Sequence, residues 1–319
     1  MSHHIYIYSP SGAVRDKAAF KRGVARLKSK GHSVEVDKAA LSGHQRFAGD
    51  DETRLAAVAR ASASGADVAL ISRGGYGLTR LLHRLDYKAL AKAIDGGTQF
   101  VGMSDFTALQ LAVWAKTGRQ TWAGPALCEG FGGKEQGTDT EGHSEAHGAP
   151  DDIMEACFDD MLLGQGEGVG WRQPAKDVRL DQPDWAIRNA TLWGGNLCVL
   201  TSLLGTPYFP AVKGGVLFLE DVAEPPYRVE RMLSQLLHSG VLARQKAIVL
   251  GQFTNFKLTP HDRGFNLSQV TQWLRGQIKT PVLTNLPFGH VPTKVLLPVG
   301  AKVDLAVQGR DVLMAWGHV

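Results

Sequence analysis

Gln99-Phe100-Val101-Gly102-Met103-Ser104-Asp105-Phe106 reads as the end of a strand, a turn and the start of a helix. The run 99–101 is β-prone. From 106 to 116, apolar Phe106, Leu109, Val113 and Trp114 recur at helical spacing. Ser104 therefore falls in a strand-to-helix turn. Such a turn projects a side chain at the carboxyl end of a sheet and points the first backbone N–H groups of the helix at the same place. A hydroxyl beside free N–H donors is half of an acyl-transfer site. The other half is a base for the hydroxyl and a carboxylate that orients the base.

Outward from this turn, strands are expected at 5–8, 32–36, 67–71 and 121–123. Helices are expected at 13–30, 50–64, 87–94 and 151–163, with Asp50 or Asp51 capping the second. The run Asp67-Val68-Ala69-Leu70-Ile71 is nearly all apolar, as in a strand covered on both faces. Strands alternating with helices at this spacing predict an α/β fold. Its first domain, 1–163, is a doubly wound parallel sheet of flavodoxin or amidotransferase type, with its site at the carboxyl edge. Residues 132–150 are polar, Gly-rich and aperiodic, and read as an exposed, mobile loop, with a lid over the site as one role.

Residues 164–175, opening on Gly164-Gln165-Gly166-Glu167-Gly168, read as a linker. The rest, 176–319, reads as a smaller α+β domain. Its short strands fall at 178–180, 215–219, 247–250, 281–283, 294–297, 302–307 and 311–316, the last ones as hairpins. Its helices fall at 197–204, 227–237 and 267–277.

A chain of 319 residues suits two domains, since single cores rarely grow past roughly 250–300 residues. The net charge of +4 is small and dispersed, which argues against a nucleic-acid partner. No apolar run approaches the roughly 18 residues of a membrane span. The start, Met1-Ser2-His3-His4-Ile5-Tyr6, lacks a secretory pattern, so a cytoplasmic location is expected. Cys128, Cys157 and Cys198 form no CxxC pair and imply neither a disulfide framework nor a zinc site. His143 and His147 lie four apart beside Glu141 and Glu145, but no helix holds that spacing for a metal.

Arg73-Gly74-Gly75-Tyr76-Gly77 is a second turn, after the 67–71 strand. It matches neither a P-loop nor a dinucleotide fingerprint. It reads either as a plain turn or as a source of N–H donors beside Ser104. Glu220 ends an apolar strand, as helix caps and site carboxylates both do. His290 lies in a turn, Phe288-Gly289-His290, and among eleven histidines spacing alone does not single it out.

The chain resembles the LD-carboxypeptidases, the muramoyltetrapeptide carboxypeptidases of peptidase family S66. The matching stretches run in order from Ser9-Pro10-Ser11-Gly12 through Arg73-Gly74-Gly75-Tyr76-Gly77 and Gly102-Met103-Ser104-Asp105. They continue with Trp193-Gly194-Gly195-Asn196-Leu197, Leu203-Leu204-Gly205-Thr206-Pro207, Leu217-Phe218-Leu219-Glu220-Asp221, Tyr227-Arg228-Val229-Glu230-Arg231 and Phe288-Gly289-His290. The resemblance implies a triad of Ser104 as nucleophile, His290 as base and Glu220 as the orienting carboxylate, in a cleft between the domains. Backbone N–H groups of Gly75 and Asp105 would form the oxyanion hole. The implied activity is metal-free and cofactor-free release of the terminal D-alanine from murein tetrapeptide, in cytoplasmic peptidoglycan recycling, by an enzyme that is commonly a homodimer.

A carboxypeptidase must also hold a free carboxylate. Arg73, Arg228 and Arg231 are candidates, as are structural ion pairs for each. Trp193 either packs on substrate or belongs to the core. Ala123 before Gly124-Pro125 departs from the family pattern, which touches a supporting contact and not the triad. An alternative within the family is a hydrolase that inactivates microcin C-type peptidyl-nucleotides. A non-catalytic binder of murein fragments is the third reading, and the intact Ser104, Glu220 and His290 argue against it.

Overall fold

The period-2 alternation of the first strand divides the core. Ile5 and Ile7 are buried with Phe20, Leu27 and Phe158 on one side, while Tyr6 and Tyr8 join Leu90, Phe106 and Leu109 on the other. A sheet buried on both faces needs helices on both faces. The computed structural model describes residues 2–133, 150–178 and 183–317, and there it has that layering. The first half runs β1 (His4–Tyr8), α1 (Lys17–Ser29), β2 (Ser33–Val36), α2 (Asp51–Ala63), β3 (Val68–Ile71), α3 (Tyr87–Asp95), β4 (Gln99–Gly102), α4 (Thr107–Thr117), β5 (Thr121–Ala123) and α5 (Asp152–Leu162). The carboxylates of Asp16, Asp50, Asp86 and Asp151 accept from first-turn N–H groups and fix where four of these helices start.

The second half runs β6 (Gly168–Arg172), β7 (Trp185–Asn196), α6 (Leu197–Ser202), β8 (Val216–Val222), α7 (Pro226–His238), β9 (Ala247–Thr254), α8 (Leu267–Gln277), β10 (Val282–Leu283), β11 (Leu297–Val299), β12 (Lys302–Gln308) and β13 (Asp311–Ala315). The strands form two sheets. One has the order β11-β5-β4-β3-β1-β2 and is parallel except for β11. The other has the order β10-β9-β8-β7-β12-β13-β6, parallel from β10 to β7 and antiparallel beyond. β12 and β13 make the expected hairpin around Gly309-Arg310. The chain is thus a mixed α/β protein of two packed sheets. No helix among the described residues is long and apolar enough to cross a membrane.

Three features differ from the sequence-based expectations. The stretch expected as a linker, 164–175, holds β6, because Val169 and Trp171 point inward while Gly168, Gly170 and Arg172 stay exposed. The strand expected at 294–297 lies at Leu297–Val299 and crosses back to the first sheet. It pairs antiparallel with β5, Leu297 opposite Ala123 and Val299 opposite Thr121. Pro298 lacks a backbone donor, which an outermost strand tolerates. Finally, β7 is twelve residues long and had no expected counterpart. The loop at 132–150, its histidines and most of the strand expected at 178–180 lie largely outside the described residues.

β7 ends in Gly194-Gly195 for a steric reason. A Cβ on Gly194 would stand 1.9 Å from the carbonyl oxygen of Phe218 in β8, and φ at Gly194 is +139°. A Cβ on Gly195 would stand 2.5 Å from Thr107 Oγ1 in α4. These two residues let β7 touch both its neighbouring strand and the helix after Ser104. Gly194→Ala is therefore expected to destabilise the fold by about 3 kcal/mol or more. Urea denaturation checks this, and an unchanged midpoint would refute the packing argument.

Candidate active site

Ser104 leaves β4 in a single 3₁₀ turn, Ser104–Phe106, with φ of +63°. A non-glycine residue in the left-handed region costs of order 1–3 kcal/mol and persists only where the surroundings hold it. One holding contact is the Gly-rich turn. A Cβ on Gly74 would stand 2.6 Å from Ser104 Cβ and 2.8 Å from Ser104 Oγ, so the bare backbone of Gly74 lies against the hydroxyl. Gly12 N–H donates to Gly74 O at 3.1 Å, tying that turn to the loop after β1.

Asp105 braces the same turn from the other side. Its carboxylate, 2 % exposed, accepts from the Leu78 N–H at 2.9 Å and from the Ser11 hydroxyl. Burial raises its pKa, and the bonds from Ser11, Leu78 and Gly77 oppose that rise. Among the described residues, neither the Gly75 nor the Asp105 backbone N–H is committed to a protein acceptor. An oxyanion requires backbone donors beside the attacking hydroxyl, and these two are the candidates the sequence named.

The second sheet supplies the other groups. Glu220, 0 % exposed, lies toward the end of β8, the carboxyl end of the parallel half of its sheet. Its Oε2 lies 2.8 Å from His290 Nδ1. A carboxylate only accepts, so Nδ1 carries the hydrogen and Nε2 is left as the acceptor. Burial pulls the His290 pKa down. The charge and hydrogen bond of Glu220, with Glu129 and Asp221 farther out, more than offset this and raise it above the ordinary value. Among the described residues, Ser104 Oγ and His290 share no hydrogen bond. Contacts of this kind often tighten only with substrate bound. The two are linked through the protein: Thr107, three residues past Ser104, contacts Asn196, which contacts Glu220, which contacts His290.

The structure sorts the other candidates. Arg73 is mostly buried beside the Gly turn, donating to Ala13 O at 3.3 Å and facing Glu129 at 3.5 Å. Arg228 is ion-paired with Glu224, and Arg231 is exposed on α7. Trp193 as a substrate contact is corrected. It is 0 % exposed, its indole N–H donates to Gln245 Oε1 at 3.0 Å, and its ring meets Phe209 edge-on in the core. Its place on β7 between Leu192 and Gly194 points it into the apolar layer beneath α6 and α7.

Three polar groups around Glu220 escaped the sequence. Asp221, beside it, is pushed up to about 7, by burial first and the Glu220 charge second. Asn196 donates to both carboxylates. Lys294, 2 % exposed and four residues beyond His290, is drawn down to about 8 by burial, with Glu129, Asp151 and Glu220 opposing the shift. Among the described residues no cluster of His, Cys, Asp and Glu is arranged to hold a metal ion.

Comparison with known proteins gives the same architecture. Residues 5–124 match the model of the LD-carboxypeptidase N-terminal domain, and residues 189–305 that of the LD-carboxypeptidase C-terminal domain. A muramoyltetrapeptide carboxypeptidase from Oxalobacter formigenes superposes with a TM-score of 0.82 at 37 % identity, over 98 % of this chain and 99 % of that one. A probable murein peptide carboxypeptidase of Bacillus subtilis is 29 % identical over 91 % of this chain and 85 % of its own. The microcin C7 self-immunity protein MccF of Escherichia coli is 27 % identical over 75 % of this chain and 71 % of its own.

Since Gly74 lies against the serine hydroxyl, Gly74→Ala should displace Ser104. Labelling of Ser104 by a fluorophosphonate is expected to slow roughly 100-fold, the usual cost of misplacing a reacting group by about 1 Å. Circular dichroism should show an intact fold. A wild-type labelling rate would contradict the role given to this turn.

Proposed function

The chain belongs to the LD-carboxypeptidase family, peptidase S66, and from that membership we propose that it is a serine LD-carboxypeptidase acting on murein tetrapeptide. The observation that carries the reading is the 2.8 Å bond between Glu220 Oε2 and His290 Nδ1, which leaves Nε2 free to act as a base. The names of the Oxalobacter and Bacillus relatives support a peptidoglycan-derived substrate, and the proposal includes a place in peptidoglycan recycling.

In this mechanism His290 Nε2 takes the proton of Ser104 as Oγ attacks the carbonyl of the L,D-peptide bond. The tetrahedral oxyanion lies on the N–H groups of Gly75 and Asp105. Losing one such donor typically costs about 2.7–4 kcal/mol. The imidazolium, stabilised by Glu220, returns the proton to the amine of D-alanine as the C–N bond breaks. The tripeptide stays as an ester on Ser104. Water then attacks with His290 again as base, freeing the tripeptide and the hydroxyl. Arg73 opens the Gly turn, and in this reading it serves the carboxylate end of the substrate.

The test is release of D-alanine from L-Ala-γ-D-Glu-meso-diaminopimelate-D-Ala, by wild type and Ser104→Ala, with and without EDTA. Wild type alone should release it, and EDTA should leave the rate unchanged, because nucleophile and base are both side chains. The Ser104→Ala rate is expected to fall by about 10⁴-fold or more. Cleavage of an acyl-sulfamoyl adenylate with no D-alanine release would overturn the tetrapeptide assignment in favour of the peptidyl-nucleotide one.

A further inference from the structure

Asn196 ends β7, and the mechanism above makes no use of it. It is 4 % exposed. Its side-chain nitrogen donates to Glu220 Oε1 at 3.2 Å and to Asp221 Oδ1 at 2.9 Å, one hydrogen to each. Its side-chain oxygen accepts from Val199 N–H at 3.0 Å, capping α6. These partners set the orientation of the amide, because carboxylates only accept and a backbone N–H only donates. Its own backbone N–H donates to Thr107 Oγ1 at 3.0 Å, in the first turn of the helix that follows Ser104. Every polar atom that distinguishes asparagine from an apolar residue is thus engaged.

The two oxygens of Glu220 are divided between two partners. Oε2 meets His290 and Oε1 meets Asn196. Asp221, the next residue, is held by the Cys198 and Val222 N–H groups and by the same amide. Without the amide, one buried Glu220 oxygen would lose its donor and two neighbouring carboxylates would lose the group between them. The backbone approach that makes the Thr107 contact requires the missing Cβ of Gly195.

From this geometry we propose that Asn196 is a positioning residue: its side-chain amide holds Glu220 in the orientation that meets His290, and its backbone, through Thr107, sets that pair against the turn that carries Ser104. The inference rests on the triad reading of Ser104, Glu220 and His290, and its test is independent of the natural substrate.

The test measures phosphonylation of Ser104 by a fluorophosphonate, in the full chain, across the pH range in which histidine titrates. Wild type is compared with Asn196→Asp, Asn196→Ala and Thr107→Val. Asn196→Asp keeps an oxygen for Val199 N–H and so keeps the cap of α6, but it loses the donor. Both Asn196 variants are expected to label at least about tenfold more slowly, the rate equivalent of a hydrogen bond to a charged group. The pH midpoint of labelling should move from its wild-type value, because Glu220 governs the titration of His290 and the amide is one of the two groups that hold Glu220. Thr107→Val should slow labelling with the midpoint unmoved.

Asn196→Asp labelling at the wild-type rate and midpoint would show that Asn196 only caps a helix, and would overturn the proposal. So would slowing that follows the loss of folded protein with no shift of midpoint. A wild-type rate in Thr107→Val would overturn the link to α4. A wild-type protein that does not label at all would overturn the nucleophile reading itself, and this inference with it.

Discussion

The hydrogen bond between Glu220 and His290 is the constraint from which the rest of the site follows. A fully buried carboxylate is costly unless it is paired and hydrogen-bonded. Glu220 meets that condition with two partners, an imidazole from the loop after β10 and an amide from the end of β7. Neither partner is a neighbour in sequence, so the bond can form only when β7, β8 and the 284–296 segment are all in place. It also fixes which imidazole nitrogen is free. The proposed chemistry depends on that tautomer, because the carboxylate would otherwise hold the ring with its basic nitrogen turned inward.

The chain's route through the two sheets sets this bond relative to the serine. After His290 the chain does not stay with the second sheet. Thr293 donates to Asp151 at 2.6 Å, at the start of α5, and Leu297–Val299 then adds to the edge of the first sheet beside β5. The segment bearing His290 is thereby anchored in both halves of the molecule. From the other direction, α4 reaches the second sheet through Thr107 and Asn196. Ser104 sits in a strained turn with a glycine backbone against it, so its position is set by packing and not left to a flexible loop. These two crossings make the relative placement of the sheets part of the proposed catalytic machinery.

Much of this was legible in the sequence, for physical reasons that differ by element. The five parallel strands and their helices declared themselves by period, the second helix also by its Asp cap, and Ser104 by its place between a strand and a helix. Glu220 and His290 had no such signal. A turn histidine carries no periodicity, and an acidic residue at a strand end reads equally as a cap, so only the resemblance to the family singled them out. β7 had no expected counterpart, and its glycines are what lets the strand approach Phe218 and Thr107. β6 was masked by the glycines around Val169, and β11 by Pro298. Lys294 stood only as the first residue of an expected strand, and its burial comes from the crossing of the chain, a tertiary fact that no local pattern encodes. Trp193 shows the reverse. Its motif left substrate contact and core packing both open, and the alternation along β7 turns it into the core.

The most direct test of the account is the titration of His290 itself, followed by NMR of the histidine-labelled protein and assigned by the signal lost in His290→Gln. The carboxylate of Glu220 stabilises the imidazolium, so in wild type His290 should titrate above the ordinary 6.5. In Glu220→Gln the charge is gone while the burial remains, and burial disfavours the charged ring, so the midpoint should fall. A His290 that titrates at or below 6.5 and does not move in Glu220→Gln would contradict the central claim that this buried pair organises the site.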